Sequence, residues 1–264
     1  MRDKEKKLDI SVIIITHNEA KNIPSCLRSV DFAEEVIIVD SGSSDRTLEI
    51  ARALRPDAKI KLHTDWQGFG HQKNIALSYA SCEWVLSLDA DEWLSDKAID
   101  TIGQILSADN SADGYKFTRR NLFLGRKLRS FNYWPDRVLR LCRREKARFT
   151  DDKVHERLVC TGRVKLLDAP IIHNTGENLS EFIEKNIHYL KIQLEQSNIE
   201  NNKSCILRIF LSPLYRFLRD YVYRLGFLDG ILGFVLAFNA AYLTFLKYAL
   251  LFLKNKSKNK ENSV

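Results

Sequence analysis

The sequence predicts an α/β fold: a mostly parallel sheet with helices on both faces, an antiparallel extension, and a helical C-terminal region. Three observations predict it. Short apolar, β-branched runs alternate with helical patterns over residues 10–106. Beyond Gly114 the pattern changes to alternating strands rich in arginine. Beyond residue 178 it becomes helical and then strongly apolar. Strand–helix alternation implies parallel strands, because parallel neighbours need a crossover and a helix supplies it. The expected divisions are therefore 1–114, 115–177 and 178–264.

The first strand is the run over residues 10–16, β-branched throughout as a strand buried on both faces requires. It ends in Thr16-His17-Asn18-Glu19, and a helix is expected to about Val30. Residues 36–40 form the second strand, ending in Asp40-Ser41-Gly42-Ser43-Ser44-Asp45. Ser44 and Asp45 are suitable caps for a helix to about Leu54. Residues 59–63 read as a weaker strand, 66–70 as a glycine-containing loop and 71–79 as a helix. The fourth strand, 84–88, runs into Asp89-Ala90-Asp91-Glu92, and Ser95 can cap a helix to about Leu106. Residues 115–126 read as a hairpin, and 136–143, 157–160 and 164–173 as further strands. Their arginines form either a solvated face or a lip that accepts an anion.

Residues 180–196 are an amphipathic helix with Ile183, Ile187, Leu190 and Leu194 on one stripe, and 198–204 are polar and linker-like. Residues 206–219 mix large apolar side chains with arginine. From 225 to 253 only Asp229 and Lys247 interrupt an apolar run, whose charge-free part, 230–246, is seventeen residues. This end can lie in a membrane interface, span a bilayer or pack as a core helix. The arginines flanking Pro213, the many aromatics and the lysine-rich tail favour an interface with anionic lipid.

A net charge of +7 over 264 residues points to an anionic partner. Five widely spaced cysteines without a CxxC pair argue against a disulfide framework or zinc site and fit a reducing compartment. The apolar run after the charged N-terminus is too short for a secretory segment, so the expected place is the cytoplasmic side of the membrane. There is no GxGxxG turn and no GxxxxGK[ST] loop, which excludes a dinucleotide Rossmann site and a P-loop. A nucleotidyltransferase would want a glycine- and lysine-rich loop after the first strand, where this chain has Thr16-His17-Asn18-Glu19.

Right-handed crossovers bring the loops after the first, second and fourth strands to one sheet edge, where ligands of open α/β sheets bind. Asp89 and Asp91 are two apart, so on an extended backbone they point the same way and can hold a hard divalent cation with phosphate oxygens. The plainer alternative is solvated loop acids, with Asp91 and Glu92 opening a helix.

The motifs in residues 10–19, Asp40 to Asp45, Gln72-Lys73-Asn74 and Asp89-Ala90-Asp91-Glu92 resemble the family 2 glycosyltransferases, of the GT-A fold. Trp66 to Asn74, Val154-His155-Glu156 and Gly226 to Phe234 are similar to a narrower branch, the lipopolysaccharide inner-core β-1,4-glucosyltransferases. The resemblance implies an inverting transfer from UDP-glucose to a heptose of a lipid A–linked core saccharide. It also implies a divalent metal, Mg²⁺ or Mn²⁺, and no nucleic-acid partner. By motif, Thr16, Asn18, Glu19 and Asp40 fall in the uridine pocket, Asp89 near the ribose and Asp91 on the metal. Lys73 is either a diphosphate contact or a solvated lysine. Glu156 and Asp136 are the candidate bases, followed by Asp151 and Asp152. His155 is a candidate second metal ligand or a loop histidine that orients Glu156, and His173 ranks below it. Transfer to a polyprenyl phosphate, another surface glycan or a protein is the rival within enzymes. A membrane-tethered sensor with a degenerate site is the non-catalytic rival.

Overall fold

The computed structural model describes residues 7–108, 112–129, 135–150, 156–176, 178–196 and 205–261. Its strands are β1 (Leu8–Thr16), β2 (Ala33–Asp40), β3 (Lys59–Leu62), β4 (Trp84–Asp89), β5 (Glu92–Leu94), β6 (Gly114–Phe123), β7 (Arg126–Lys127), β8 (Asp136–Arg143), β9 (Ala147–Phe149), β10 (Leu158–Cys160) and β11 (Val164–Gly176). The helices are α1 (Ile23–Ser29), α2 (Thr47–Leu54), α3 (Phe69–Ser78), α4 (Asp96–Ser107), α5 (Leu179–Gln196), α6 (Cys205–Leu218) and α7 (Gly230–Glu261). The chain divides into two compact units, one of Met1–Leu122 with Pro135–Thr175, the other of Phe123–Trp134 with Gly176–Val264.

In the first unit the sheet runs β3-β2-β1-β4-β8-β6-β11-β5. β3, β2, β1 and β4 are parallel, and β8 and β6 continue the sheet antiparallel. The two halves divided at Gly114 share one sheet. β1 explains its own composition. Ile10, Val12 and Ile14 pack on one face with Ile23 and Leu27 of α1, Ala51 of α2 and Ile102 of α4. Ile13 packs on the other with Ile37, Val85, Ala76 of α3 and Phe149. Both faces are dry, so polar alternation is absent.

Local chemistry sets the helix starts. Ser95 caps α4, its Oγ accepting the Ala98 N–H at 3.3 Å. Ser44 does not cap α2; its N–H donates to Asn18 Oδ1 at 2.8 Å. Asp45 instead accepts the Thr47 N–H, at 2.9 Å. Asp91 and Glu92 open no helix: Glu92 begins β5, which pairs antiparallel with β11. α3 starts two residues before the expected position, directly after Gly68, whose φ of +116° suits glycine.

The second unit contains α5, α6 and α7, with a core of Phe123, Leu128, Leu232 and Leu236 against Leu179 and Phe182. Among the described residues, one stretch is long and apolar enough to cross a membrane, Gly226–Lys254, with a mean hydropathy of 1.6. Many of its large side chains face outward, among them Ile231, Phe238 and Leu253.

At the N-terminal end of β2, Glu35 is 7 % exposed and gathers the edges of the sheet. It accepts from Ser11 of β1, from the Ser81 N–H and hydroxyl at 2.9 Å each, and from Lys59 of β3. Burial pushes its carboxyl up, but the hydrogen bonds from Lys59, Ser11 and Ser81 outweigh that and hold it at about 2 instead of 4.5. A depressed carboxylate contributes stability above its unfolded pKa and loses it as pH falls. The chain should therefore lose stability between pH 4.5 and about 2. Glu35→Gln should flatten that slope and cost about 1.5–3 kcal/mol at neutral pH, read as a lower urea midpoint.

Candidate active site

The loop after β1 is bolted to the loop after β2. Thr16 Oγ1 donates to Asp40 Oδ2 at 2.8 Å, and the Gly42 and Ser43 N–H groups donate to Asp40 Oδ1 at 2.9 and 2.8 Å. The Ser43 hydroxyl completes the set on Oδ2 at 2.5 Å. Asp40 is fully buried, and these four donors outweigh the upward push of burial and keep its carboxyl below the usual range. Its acceptor positions are filled, so it shapes the loop; a base N–H would have to displace one of the four. Asn18 takes a left-handed φ of 58°, and its amide oxygen receives the Ser44 N–H. Glu19 accepts from Asn22 at 2.8 Å, and its N–H reaches Thr47 Oγ1 at 2.8 Å. Between β2 and α3, fully buried Gln72 donates to Ser41 Oγ at 2.8 Å and to the His63 carbonyl at 2.7 Å.

Beyond β4, a chain of opposite charges runs across the sheet. Glu156 Oε1 lies 2.8 Å from Lys73 Nζ, which lies 2.7 Å from Asp89 Oδ1. Asp89 Oδ2 is 2.7 Å from Arg140 Nη2, which also lies 2.6 Å from Glu92 Oε1. Glu92 meets Arg119 at 3.1 Å, and Arg119 meets Asp136 at 2.7 Å. Lys73, Glu92 and Arg140 are buried. Burial would push Asp89 up, but Arg140 and Lys73 hold it well below the usual carboxylate range. Burial would push Arg140 and Lys73 down; the carboxylates beside them raise both instead. The approach of α3 to Glu156 depends on Gly70. A Cβ there would sit 2.0 Å from the Thr150 carbonyl oxygen and 3.3 Å from Glu156 Cβ.

Asp89 and Asp91 take different partners, because the chain turns at Ala90-Asp91 and the extended backbone assumed from the sequence ends at Asp89. Asp91 Oδ2 lies 3.4 Å from His173 Nε2 on β11. His173 Nδ1 is 2.6 Å from Asn121 Oδ1, and Asn121 Nδ2 donates to Asp136 Oδ2 at 3.3 Å. A carboxylate only accepts, which fixes the Asn121 amide, so its oxygen faces Nδ1 and Nδ1 carries the proton. Nε2 is the nitrogen left facing the Asp91 carboxylate, and the two atoms can pair through a proton or share a cation.

A divalent ion fits this pair. Metal–ligand bonds of about 2.0–2.2 Å to imidazole and carboxylate put two ligands of one ion about 3 Å apart at near right angles. Among the described residues no group of three metal-binding side chains forms. Diphosphate oxygens and water would complete the sphere, as they do for Mg²⁺ in phosphate sites.

The structure thus gathers Thr16, Asn18, Glu19, Asp40, Lys73, Asp89, Asp91, Asp136 and Glu156 into one unit. His155, Asp151 and Asp152 lie outside the described residues. Arg140, Arg119 and Asn121 had no place in the sequence reading. The alternation read over residues 136–143 puts Arg140 on one face with half-buried Val138 and buried Cys142, the one hint that it turns away from solvent.

A sequence model described as "Glycosyl transferase family 2" matches residues 11–162. The chain is 29 % identical over 265 residues to the lipopolysaccharide core biosynthesis glycosyltransferase LpsC of Rhizobium meliloti, covering 97 % of this chain and 96 % of that one. It is 30 % identical over 264 residues to an uncharacterized glycosyltransferase of Rickettsia felis, covering 94 % and 92 %. Among solved structures it resembles mannosyltransferase PcManGT from Pyrobaculum calidifontis in complex with GDP-Man and Mn²⁺. There the TM-score is 0.51 at 16 % identity, over 92 % and 88 % of the two chains. The fold is that of the GT-A transferases.

Arg140 is the cation common to Asp89 and Glu92. Arg140→Met should cost about 3–5 kcal/mol, because it takes one cation from two carboxylates, leaving Asp89 to Lys73 and the fully buried Glu92 to Arg119. Arg140→Lys should recover only part of that, since an ammonium lacks the planar fork. Urea unfolding of both variants measures this.

Proposed function

Because the chain belongs to glycosyl transferase family 2, we propose that it moves a hexose, glucose first among candidates, from a UDP-sugar to a hydroxyl of a lipid-linked saccharide, with inversion. The acceptor we assign is a heptose of the lipopolysaccharide inner core, at the cytoplasmic face of an anionic membrane. Transfer of a sugar from a nucleotide sugar is the family's activity. The finer reading is supported by the full-length likeness to a lipopolysaccharide core transferase and by the outward-facing apolar surface of α6 and α7. The observation that carries it is the polar edge of the sheet, where a filled nucleotide loop, a metal-compatible pair and a carboxylate held by lysine meet in one unit.

The loops at Thr16-His17-Asn18-Glu19 and Asp40 to Asp45 form the uridine pocket, with Asp40 and Asn18 holding its walls. Asp89, whose side chain is 29 % exposed, serves the ribose. Asp91 and His173 would hold the divalent cation, with Asn121 orienting the His173 ring. When bound, the ion supplies Lewis-acid stabilisation of the charge that develops on the departing diphosphate. Lys73 lies close enough to Asp89 to share that work.

Glu156 takes the proton from the acceptor hydroxyl as its oxygen attacks the anomeric carbon opposite the diphosphate, which gives inversion. Asp136 is the weaker candidate for base. Its carboxylate accepts from both Arg119 and Asn121, and it lies at the other end of the chain of charges, six ion pairs from Glu156.

UDP release from UDP-glucose, UDP-galactose and UDP-N-acetylglucosamine should be measured with a truncated lipid-linked core saccharide, in Mn²⁺ and in Mg²⁺. Turnover is expected with UDP-glucose and that acceptor; turnover only with another donor or acceptor replaces this reading. Glu156→Gln should lower transfer by about 10²–10⁴-fold and leave UDP affinity unchanged. If Asp136→Asn does this instead, the base is Asp136. Asn121→Ala should raise the metal concentration for half-maximal rate about 10–100-fold, with most of the rate recovered at saturating metal.

A further inference from the structure

We propose that the tip of the α6–α7 hairpin is a binding site for the phosphate headgroup of an anionic bilayer lipid, with Arg219 and Arg224 as its donors. The proposal deepens, and rests on, the reading of the second unit as the membrane-associating part of the chain.

The tip is a built structure. After α6 the chain makes one π turn, Arg219–Tyr223, and one 3-10 turn, Gly226–Asp229, before α7 begins at Gly230. π turns are rare and concentrate at functional sites. Leu225 holds a left-handed φ of 60°, a strained position for a bulky side chain. A Cβ at Gly233 would lie 1.8 Å from the Gly226 carbonyl oxygen, so the first turn of α7 is pressed onto the 3-10 turn. Asp229 accepts the Arg129 N–H at 3.0 Å and ties the tip to its own unit. These contacts give the glycines and Asp229 of the Gly226 to Phe234 motif a structural task, and they hold the arginines in place.

Asp220 is 1 % exposed and accepts from Arg216 at 2.5 Å, Arg219 at 2.9 Å and Arg224 at 3.3 Å. One carboxylate among three guanidiniums leaves a surplus of positive charge. A guanidinium has five N–H donors, and Asp220 takes one from each. The side chains of Arg216, Arg219 and Arg224 remain 40, 24 and 30 % exposed. An array with spare donors and surplus charge is suited to phosphate, which guanidinium binds bidentately.

The surroundings select a lipid as the source of that phosphate. Val222, Tyr223, Leu225, Phe227, Leu228 and Ile231 are all exposed around the arginines, Tyr223 by 84 % and Ile231 by 75 %. A soluble phosphate compound gives such side chains nothing to bury in. The boundary of a bilayer offers phosphate and acyl chain at adjacent depths.

The test is vesicle flotation of the full chain, with phosphatidylcholine alone and with added phosphatidylglycerol. The wild type should bind the mixed vesicles more tightly. Arg219→Gln with Arg224→Gln should lose about fivefold for each guanidinium removed. Removing the same charge from the tail, Lys256→Gln with Lys258→Gln, should lose much less. Equal losses would assign the attraction to net charge and overturn the site. Should the double variant not fold, Arg224→Gln alone serves, since its bond to Asp220 is the longest of the three; about fivefold is expected, and no change contradicts the proposal. A wild type that binds neither vesicle overturns the membrane reading itself. A wild type that binds, with the arginine variants unchanged, overturns only the site.

Discussion

The first unit depends on Arg140. Its guanidinium sits between Asp89, the last residue of β4, and Glu92, the first of β5. Four residues of chain, Asp89 to Glu92, carry three carboxylates across the turn there, and without a cation they would repel one another inside a low-dielectric edge. Arg140 comes from β8, the strand that pairs antiparallel with β4 and joins the parallel half of the sheet to the antiparallel half. The arrangement of the sheet and the charge balance of the site are thus one constraint. From Arg140 the alternation of charge extends both ways, through Lys73 to Glu156 and through Arg119 to Asp136. Each carboxylate has its place because a cation on another strand or helix holds it.

The parallel half was legible in the sequence because its signals are local. β1 and β2 announce themselves by composition, and the polar loops after them follow from strand direction alone. The convergence of Thr16, Asp40 and Asp89 is a consequence of topology, and one rule of handedness delivers it. What was not legible is pairing across the sheet. Arg119 and Arg140 lie in alternating strands that read equally well as a solvated lip, and nothing within ten residues says that they meet carboxylates of a turn 27 to 51 residues away. His173 was ranked below His155 because sequence neighbours were visible and β11's position beside β5 was not. The shared face read from the spacing of Asp89 and Asp91 needs an extended backbone, and the chain turns at Ala90-Asp91.

In the second unit composition was the guide, and it gave surface character without geometry. The apolar run and the arginines around Pro213 were both visible. That the buried Asp220 collects Arg216, Arg219 and Arg224 was not: Arg216 and Arg224 stand four residues either side of it, but spacing alone does not say that the acid is buried. A single acid in an arginine-rich, apolar stretch is easily read as an interruption. Here it organises the charge of the hairpin tip.

We propose that the sheet edge is a nucleotide-sugar site whose metal would be held by Asp91 and His173. Calorimetric titration of UDP into the full chain, with Mn²⁺ and with chelator, tests it most directly. The account predicts binding that is much tighter with Mn²⁺, a dependence that His173→Ala removes while metal-free UDP affinity stays the same. Equal UDP affinity with and without Mn²⁺ in the wild type, or an undiminished Mn²⁺ effect in His173→Ala, would contradict it.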